Sequence, residues 1–276
     1  MPRAVADVLQ QLSMLPPFPK VTTKLLAMLQ DDTVSMDDLA VVVSSDPSLA
    51  TKVIHLSNSP FYMVARQVET VKDALFVLGV GSIKSITTGL SIQKGLNQLQ
   101  PRSALFNMQD FWKHSYATAI VANKLGARRD RKLGDSLYLA GLIHDVGKMI
   151  MAYYWPEVWK GIVKTQAQTS EPVYDIEARL FHHTHAAIAA ELFRNWKFPP
   201  AVIELVEYHH ACEPVQGAPG VERSLLWTAN VLVNAHGHGF PLARLKPPVV
   251  FDVDAYQDVT DTLDEELEYQ LRMLTT

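Results

Sequence analysis

The chain has 276 residues, 48% of them apolar and 20% charged, enough for one large domain or two modest lobes sharing a core. A net charge of −4 leaves no overall basic field, so neither nucleic acid nor a membrane surface is expected as a partner. The one cysteine, Cys212, excludes an internal disulfide framework, and a packing role is expected for it rather than thiolate ligation.

Residues 1–12 carry Asp7 at amphipathic spacing instead of a basic start and an apolar signal core. No apolar run approaches bilayer length, so a cytoplasmic location is expected. Helical periodicity dominates and period-two alternation is scarce, so the fold class is all-α. After the stiff run Leu15-Pro16-Pro17-Phe18-Pro19, Val21, Leu25, Leu26 and Leu29 predict a helix. Ser35, followed by Asp37 and Asp38, reads as the cap of the next. Ser45-Asp46-Pro47 supplies a cap and a first-turn proline for a third, which stops near Asn58-Ser59-Pro60. Two helices, about 71–78 and 82–92, are expected on either side of Gly79-Val80-Gly81.

The polar stretch Gln93 to Asn107 reads as a connection between lobes. A helix over about 111–125 follows, then a loop over 126–135, then one strongly apolar helix over 136–154. The basic group Arg128, Arg129, Arg131 and Lys132 reads as a solvated helix end and loop. Further helices are predicted at 157–168, 173–181, 185–196, 199–211 and 221–236. Pro241, Pro247 and Pro248 imply an extended segment, and Leu263, Leu267, Leu271 and Leu274 form the stripe of an acidic amphipathic helix packed on the body. The expected division is an N-terminal helical lobe (1–108), a helical core (109–240) and a C-terminal extension (241–276).

Ten histidines are present, nine of them from His114 onward. Imidazole is both a common metal ligand and the side chain that titrates near neutral pH. His114 lies on one stripe with Thr118, Val121 and Leu125, so it must bond something buried. His144-Asp145 falls inside the apolar run Leu139 to Lys148, where a carboxylate is seldom left unpaired. Gly147 in that run disfavours helix by about 1 kcal/mol against alanine, which points to close packing or a close ligand beside it. A structural His–Asp pair and a metal or anion site are both open at this level.

These residues resemble an HD signature: an upstream histidine (His114 in Phe111-Trp112-Lys113-His114), a doublet (His144-Asp145) and a distant closing position on another helix. That closing position falls on Asn230, an amide where the family carries aspartate. Four earlier stretches resemble the HDOD branch of the HD superfamily: Leu15 to Pro19, Ser44 to Leu49, His55 to Tyr62 and Ala74 to Gly79. The resemblance covers about residues 12 to 236 and implies a two-lobed helical fold with an HD-like core.

By likeness to HD relatives, His185, His209 and His210 would extend the ligand set of His114, His144 and Asp145, with Asn230 a doubtful member. The set would suit one or two divalent ions of iron, zinc, manganese or nickel. The GYP signature is absent, since His210 is followed by Ala211-Cys212-Glu213-Pro214, and cyclic di-GMP hydrolysis is not implied. The resemblance implies a signalling regulator that binds a partner protein or a small phosphorylated ligand. The alternative is a metal-dependent phosphohydrolase acting on a nucleotide or phosphate ester, with Asp145 and Lys148 in catalysis. The amide at 230 weakens that alternative by removing a charge that would offset the cation.

Overall fold

The computed structural model describes residues 19–62, 64, 66–169, 171–210, 220–240 and 253–274. The expectations for the N-terminal residues, for Cys212 and for the proline segment after Phe240 lie outside these. Among the described residues the chain is helical throughout, with no strand. In chain order the helices are α1 (Lys20–Leu29), α2 (Met36–Ser44), α3 (Pro47–Ser57), α4 (Val71–Leu96) and α5 (Met108–Ala127). Then come α6 (Arg131–Ile143), α7 (Val146–Tyr154), α8 (Pro156–Gln168), α9 (Val173–Phe181) and α10 (His185–Asn195). The last are α11 (Pro200–Glu207), α12 (Gly220–Ala235), α13 (Gln257–Thr260) and α14 (Leu263–Leu274).

The boundaries follow from local chemistry. The Ser35 hydroxyl accepts from the Asp38 amide at the start of α2. The Asp46 carboxylate accepts from the amides of Ser48 and Leu49 at the start of α3, with Pro47 in the first turn. Each such cap satisfies a donor that the helix itself leaves orphaned. Beyond α3, the Asn58 amide bonds both the N–H and the C=O of Val68, closing the loop that leads to α4.

The break expected at Gly79 is present, but as a kink. Gly79 has φ of +79°, a left-handed value that favours glycine, and the helix resumes at once. The expectation that no run reaches bilayer length is corrected here. Joined across the kink, α4 is long and apolar enough to cross a membrane by length and composition, yet most of it is buried inside the protein. Residues 83–93 are buried on every side, and α1, α2, α3 and α6 pack around them.

Three other expectations shift. The connection begins at Asn97, because Gln93 lies on α4 with its amide oxygen accepting from the Tyr116 hydroxyl at 2.6 Å. The loop over 126–135 shrinks to residues 128–130, because Asp130 caps α6 by accepting from the Leu133 amide. The basic residues there are exposed, as expected of a solvated helix end, and three of them have partners: Arg128 pairs with Asp258, Arg131 donates to the Leu78 carbonyl and Lys132 pairs with Asp32. The single helix over 136–154 is two, α6 and α7, separated at His144-Asp145.

Helices α5 and α6 form the closest helix pair, with α12 against both. Gly141 makes that approach possible: a Cβ there would lie 2.9 Å from the Ala119 backbone. Helix α14 packs on α3 and α5, burying Leu263, Leu267 and Leu274 as the stripe requires. Phe106, Phe111, Trp159 and Phe240 interlock at centroid distances of 5.0 to 6.2 Å, anchoring the start of α5 to α8.

Candidate metal centre

Four places in the chain deliver the histidines to one site. His114 comes from the middle of α5, His144-Asp145 from the α6–α7 break, His185 from the first turn of α10, and His209 and His210 from the turn after α11. The helix expected over 199–211 ends at Glu207, and that early stop turns both imidazoles inward. Gly147 explains how α7 and α10 meet. A Cβ on it would sit 1.9 Å from the His185 carbonyl oxygen, so only a glycine lets the two backbones touch. The close packing expected beside Gly147 is therefore backbone of α10.

Asp145 is the hub and is fully buried. Its Oδ2 lies 3.4 Å from His114 Nε2, 3.4 Å from His144 Nε2 and 2.6 Å from Lys148 Nζ. Its Oδ1 lies 3.1 Å from His185 Nε2 and 3.7 Å from His209 Nε2. His210 Nε2 is 2.9 Å from His185 Nε2, which is 3.3 Å from His209 Nε2. Thus all six residues expected from the sequence converge.

The tautomers are fixed from outside the cluster. His114 Nδ1 donates to the His238 carbonyl at 2.8 Å, His144 Nδ1 to the Gly141 carbonyl at 2.7 Å and His209 Nδ1 to the Val206 carbonyl at 2.6 Å. A carbonyl only accepts, so each Nδ1 carries the proton. Burial pushes His144 down to about 3, and burial together with the neighbouring imidazoles pushes His209 and His210 well below the ordinary imidazole value. Neutral His144 and His209, each with its proton on Nδ1, turn Nε2 lone pairs toward Asp145.

Burial alone would raise the Asp145 carboxyl, but His144 and the Lys148 ammonium beside it hold it well below the usual carboxylate range. Lone pairs facing a buried carboxylate repel unless a cation lies between them. His114 Nε2, His144 Nε2 and Asp145 Oδ1 are buried and have no hydrogen-bond partner among the described residues.

The donors fall into two groups that share Asp145: His114, His144 and Asp145, and Asp145, His185, His209 and His210. In each group the ligand atoms lie within 4.8 Å of one another. Donors about 2.0–2.1 Å from a common tetrahedral centre lie roughly 3.3–3.4 Å apart, close to the separations found here. The residues therefore fit a divalent transition metal, by donor type, spacing and orphaned lone pairs.

Glu177, which sequence reasoning missed, completes the outer layer. Its Oε2 accepts from the His185 backbone N–H at 2.8 Å and faces His185 Nδ1 at 2.6 Å. Burial lowers the affinity of His185 for a proton, and Glu177 together with Asp145 more than reverses this, leaving the value raised. Orienting carboxylates of this kind support histidine ligands in metal sites. The signal was available: Glu177 lies beside Ile176 on the buried stripe of α9, between Val173 and Phe181.

Lys148, named with Asp145 for the hydrolytic alternative, lies beside that carboxylate. It does not reach to solvent but is buried, donating to Asp145 and, at 3.3 Å, to the Phe240 carbonyl. Asn230 is buried on α12, its Oδ1 accepting from Asn234 Nδ2 at 2.7 Å. It borders, with Lys148, His210 and Tyr174, a cavity of roughly 10 Å³, room for about one water molecule.

Comparison with known proteins agrees with this geometry. The family model of the HDOD domain matches residues 15–212. The chain is similar to the structure of an HDOD domain protein of unknown function from Geobacter sulfurreducens, with a TM-score of 0.80 at 21% identity, covering 98% of this chain and 99% of that one. It is also similar to a Marinobacter aquaeolei VT8 protein provisionally assigned to signal transduction, with a TM-score of 0.75 at 26% identity, covering 100% of this chain and 62% of that one. A third structure, provisionally assigned as a phosphohydrolase from Shewanella amazonensis SB2B, gives 0.76 at 22% identity, covering 98% of each chain. The chain spans 40% of the length of a curated relative to which it is 21% identical over 209 residues. The family match covers well over half of the sequence and the helical fold is shared with these structures: the chain belongs to the HDOD family.

Proposed function

We propose that this chain is a signal-transduction module whose histidine cluster holds one or two divalent transition metal ions and which acts by binding a partner protein or small ligand, not by turnover. The observation that carries the metal reading is the convergence of five imidazole Nε2 atoms around Asp145, with those of His114 and His144 and Asp145 Oδ1 lacking any hydrogen-bond partner among the described residues. His114, His144 and Asp145 would hold one ion, and Asp145, His185, His209 and His210 the other. A bound ion there supplies positive charge that can polarise a phosphoryl oxygen and acidify a water.

Three features favour regulation over hydrolysis. Lys148 already neutralises Asp145, the closing amide Asn230 is engaged by Asn234, and the cavity beside them admits about one water molecule. That cavity is too small to take a phosphate ester. The test is phosphate release from a panel of nucleotides and phosphate esters, with Mn²⁺, Fe²⁺ or Ni²⁺ added. This reading expects no turnover above the metal-only blank.

A second reading, a metal-dependent phosphohydrolase, is favoured by one observation: two donor groups sharing a bridging carboxylate, the arrangement a two-metal hydrolytic site requires. Metal-dependent release that disappears in Asp145→Asn would establish it over the first.

A further inference from the structure

A cavity where α3, α4, α5 and α14 meet lies away from the histidines. It has a volume of roughly 740 Å³, within the range of small-molecule sites. Its walls come from the start of α3, the last turns of α4, the start of α5 and the end of α14, so all three parts of the chain meet there. Nothing in the metal reading uses it.

Several of its polar groups are donors. Trp112 Nε1, which can only donate, bonds Asn97 Oδ1 at 2.8 Å, leaving the Asn97 amide nitrogen for the cavity. Gln93 is likewise turned: its Oε1 accepts from the Tyr116 hydroxyl, and its nitrogen has no partner among the described residues. Of the lining charges, Lys94 and Asp46 neutralise each other at 2.8 Å. Lys113 has no partner among the described residues, and Lys52 is half-buried, donating to the Leu274 carbonyl rather than to a carboxylate. Burial and the nearby Lys94 lower the Lys52 ammonium from its ordinary value. Against these two cations stands one unpaired carboxylate, Asp110, in the first turn of α5. Leu49, Leu90 and Met108 supply an apolar wall.

From this arrangement we propose that the cleft between the lobes is a second binding site, selective for a small organic anion that pairs a carboxylate, sulfonate or phosphate with an apolar body. The anionic head meets Lys52, Lys113 and the two amide nitrogens, and the body lies on the leucines. The inference goes beyond the metal reading and stands whether or not the histidines hold an ion.

The test is a fluorescence titration of the full chain with 1-anilinonaphthalene-8-sulfonate, an anion of this kind. One saturable site is expected, weakened tenfold or more in Lys52→Gln. Lys113→Gln, at an exposed side chain without a partner, is expected to weaken it severalfold without altering the thermal midpoint. That second variant keeps the test valid if loss of the Leu274 contact disturbs folding. His144→Ala is expected to leave the titration unchanged, which separates this site from the metal centre. Displacement by octanoate but not octyl phosphate marks a carboxylate site, and the reverse a phosphate site. Absence of saturable binding, equal affinity in Lys113→Gln and wild type, or loss in His144→Ala would overturn the proposal.

Discussion

Lys148→Met separates the two partners that Asp145 can have. In the metal-free protein the Lys148 ammonium is the nearest fixed cation to this fully buried carboxylate among the described residues, at 2.6 Å and itself 4% exposed. Removing one member of such a pair leaves a buried charge uncompensated and destabilises by about 3–5 kcal/mol. Methionine preserves the stem's packing, so little of the loss comes from volume. With a metal bound, the carboxylate faces a cation whether or not Lys148 is present, and the loss should fall to about 1 kcal/mol. The difference, at least about 2 kcal/mol, must by linkage appear as tighter metal binding, roughly thirtyfold. Urea unfolding with chelator and with saturating Mn²⁺ measures the first quantity, and competitive Mn²⁺ titration the second. An equal loss in both conditions, with unchanged Mn²⁺ affinity, would refute the reasoning.

Further outcomes follow from the same geometry. Gly147→Ala should destabilise by about 1–3 kcal/mol or more, because the added methyl meets the His185 carbonyl at 1.9 Å; a thermal midpoint within 1–2 °C of wild type (a shift of well under about 1 kcal/mol) would contradict the close contact. Glu177→Gln should weaken metal binding about 10- to 100-fold in a competition titration, since the charge that orients His185 is gone, and an unchanged affinity would remove Glu177 from the site. For the chelated protein, the folded-state value of His144 lies near 3 and those of His209 and His210 are also depressed, whereas unfolded imidazole titrates near about 6.5. The unfolded chain therefore takes up protons first as pH falls, so this stability is complete above about pH 6.5 and is lost toward pH 3. Each such histidine contributes a slope of up to about 1.4 kcal/mol per pH unit, and a flat urea midpoint between pH 7.5 and 5 would contradict it.

Much of the fold was legible because local chemistry set it. Ser35, Asp46 and Pro47 mark helix starts by satisfying backbone donors, and the Leu263–Leu274 stripe shows which face of α14 is buried. The errors arose where tertiary contacts override periodicity. The apolar run 136–154 carries no signal of its own for a stop, and the break at His144-Asp145 exists because its side chains bond inward, His144 to the Gly141 carbonyl and Asp145 to Lys148. Gln93 to Asn107 looked like a linker by polarity, yet the amide of Gln93 is consumed by Tyr116, a partner 23 residues away. In the site, the imidazoles were legible through their resemblance to an ordered motif. The backbone carbonyls that set their tautomers belong to Gly141, Val206 and His238, whose side chains give no hint of that role.

The central claim is that the Nε2 atoms around Asp145 are arranged for a cation, and metal content tests it most directly. Protein purified without a histidine tag or chelator, then analysed for transition elements, should carry one or two divalent ions per chain, and Asp145→Asn should carry almost none. Wild-type protein that stays free of metal even after incubation with Mn²⁺, Fe²⁺, Zn²⁺ and Ni²⁺ would contradict the account, leaving the cluster as a hydrogen-bonded histidine network.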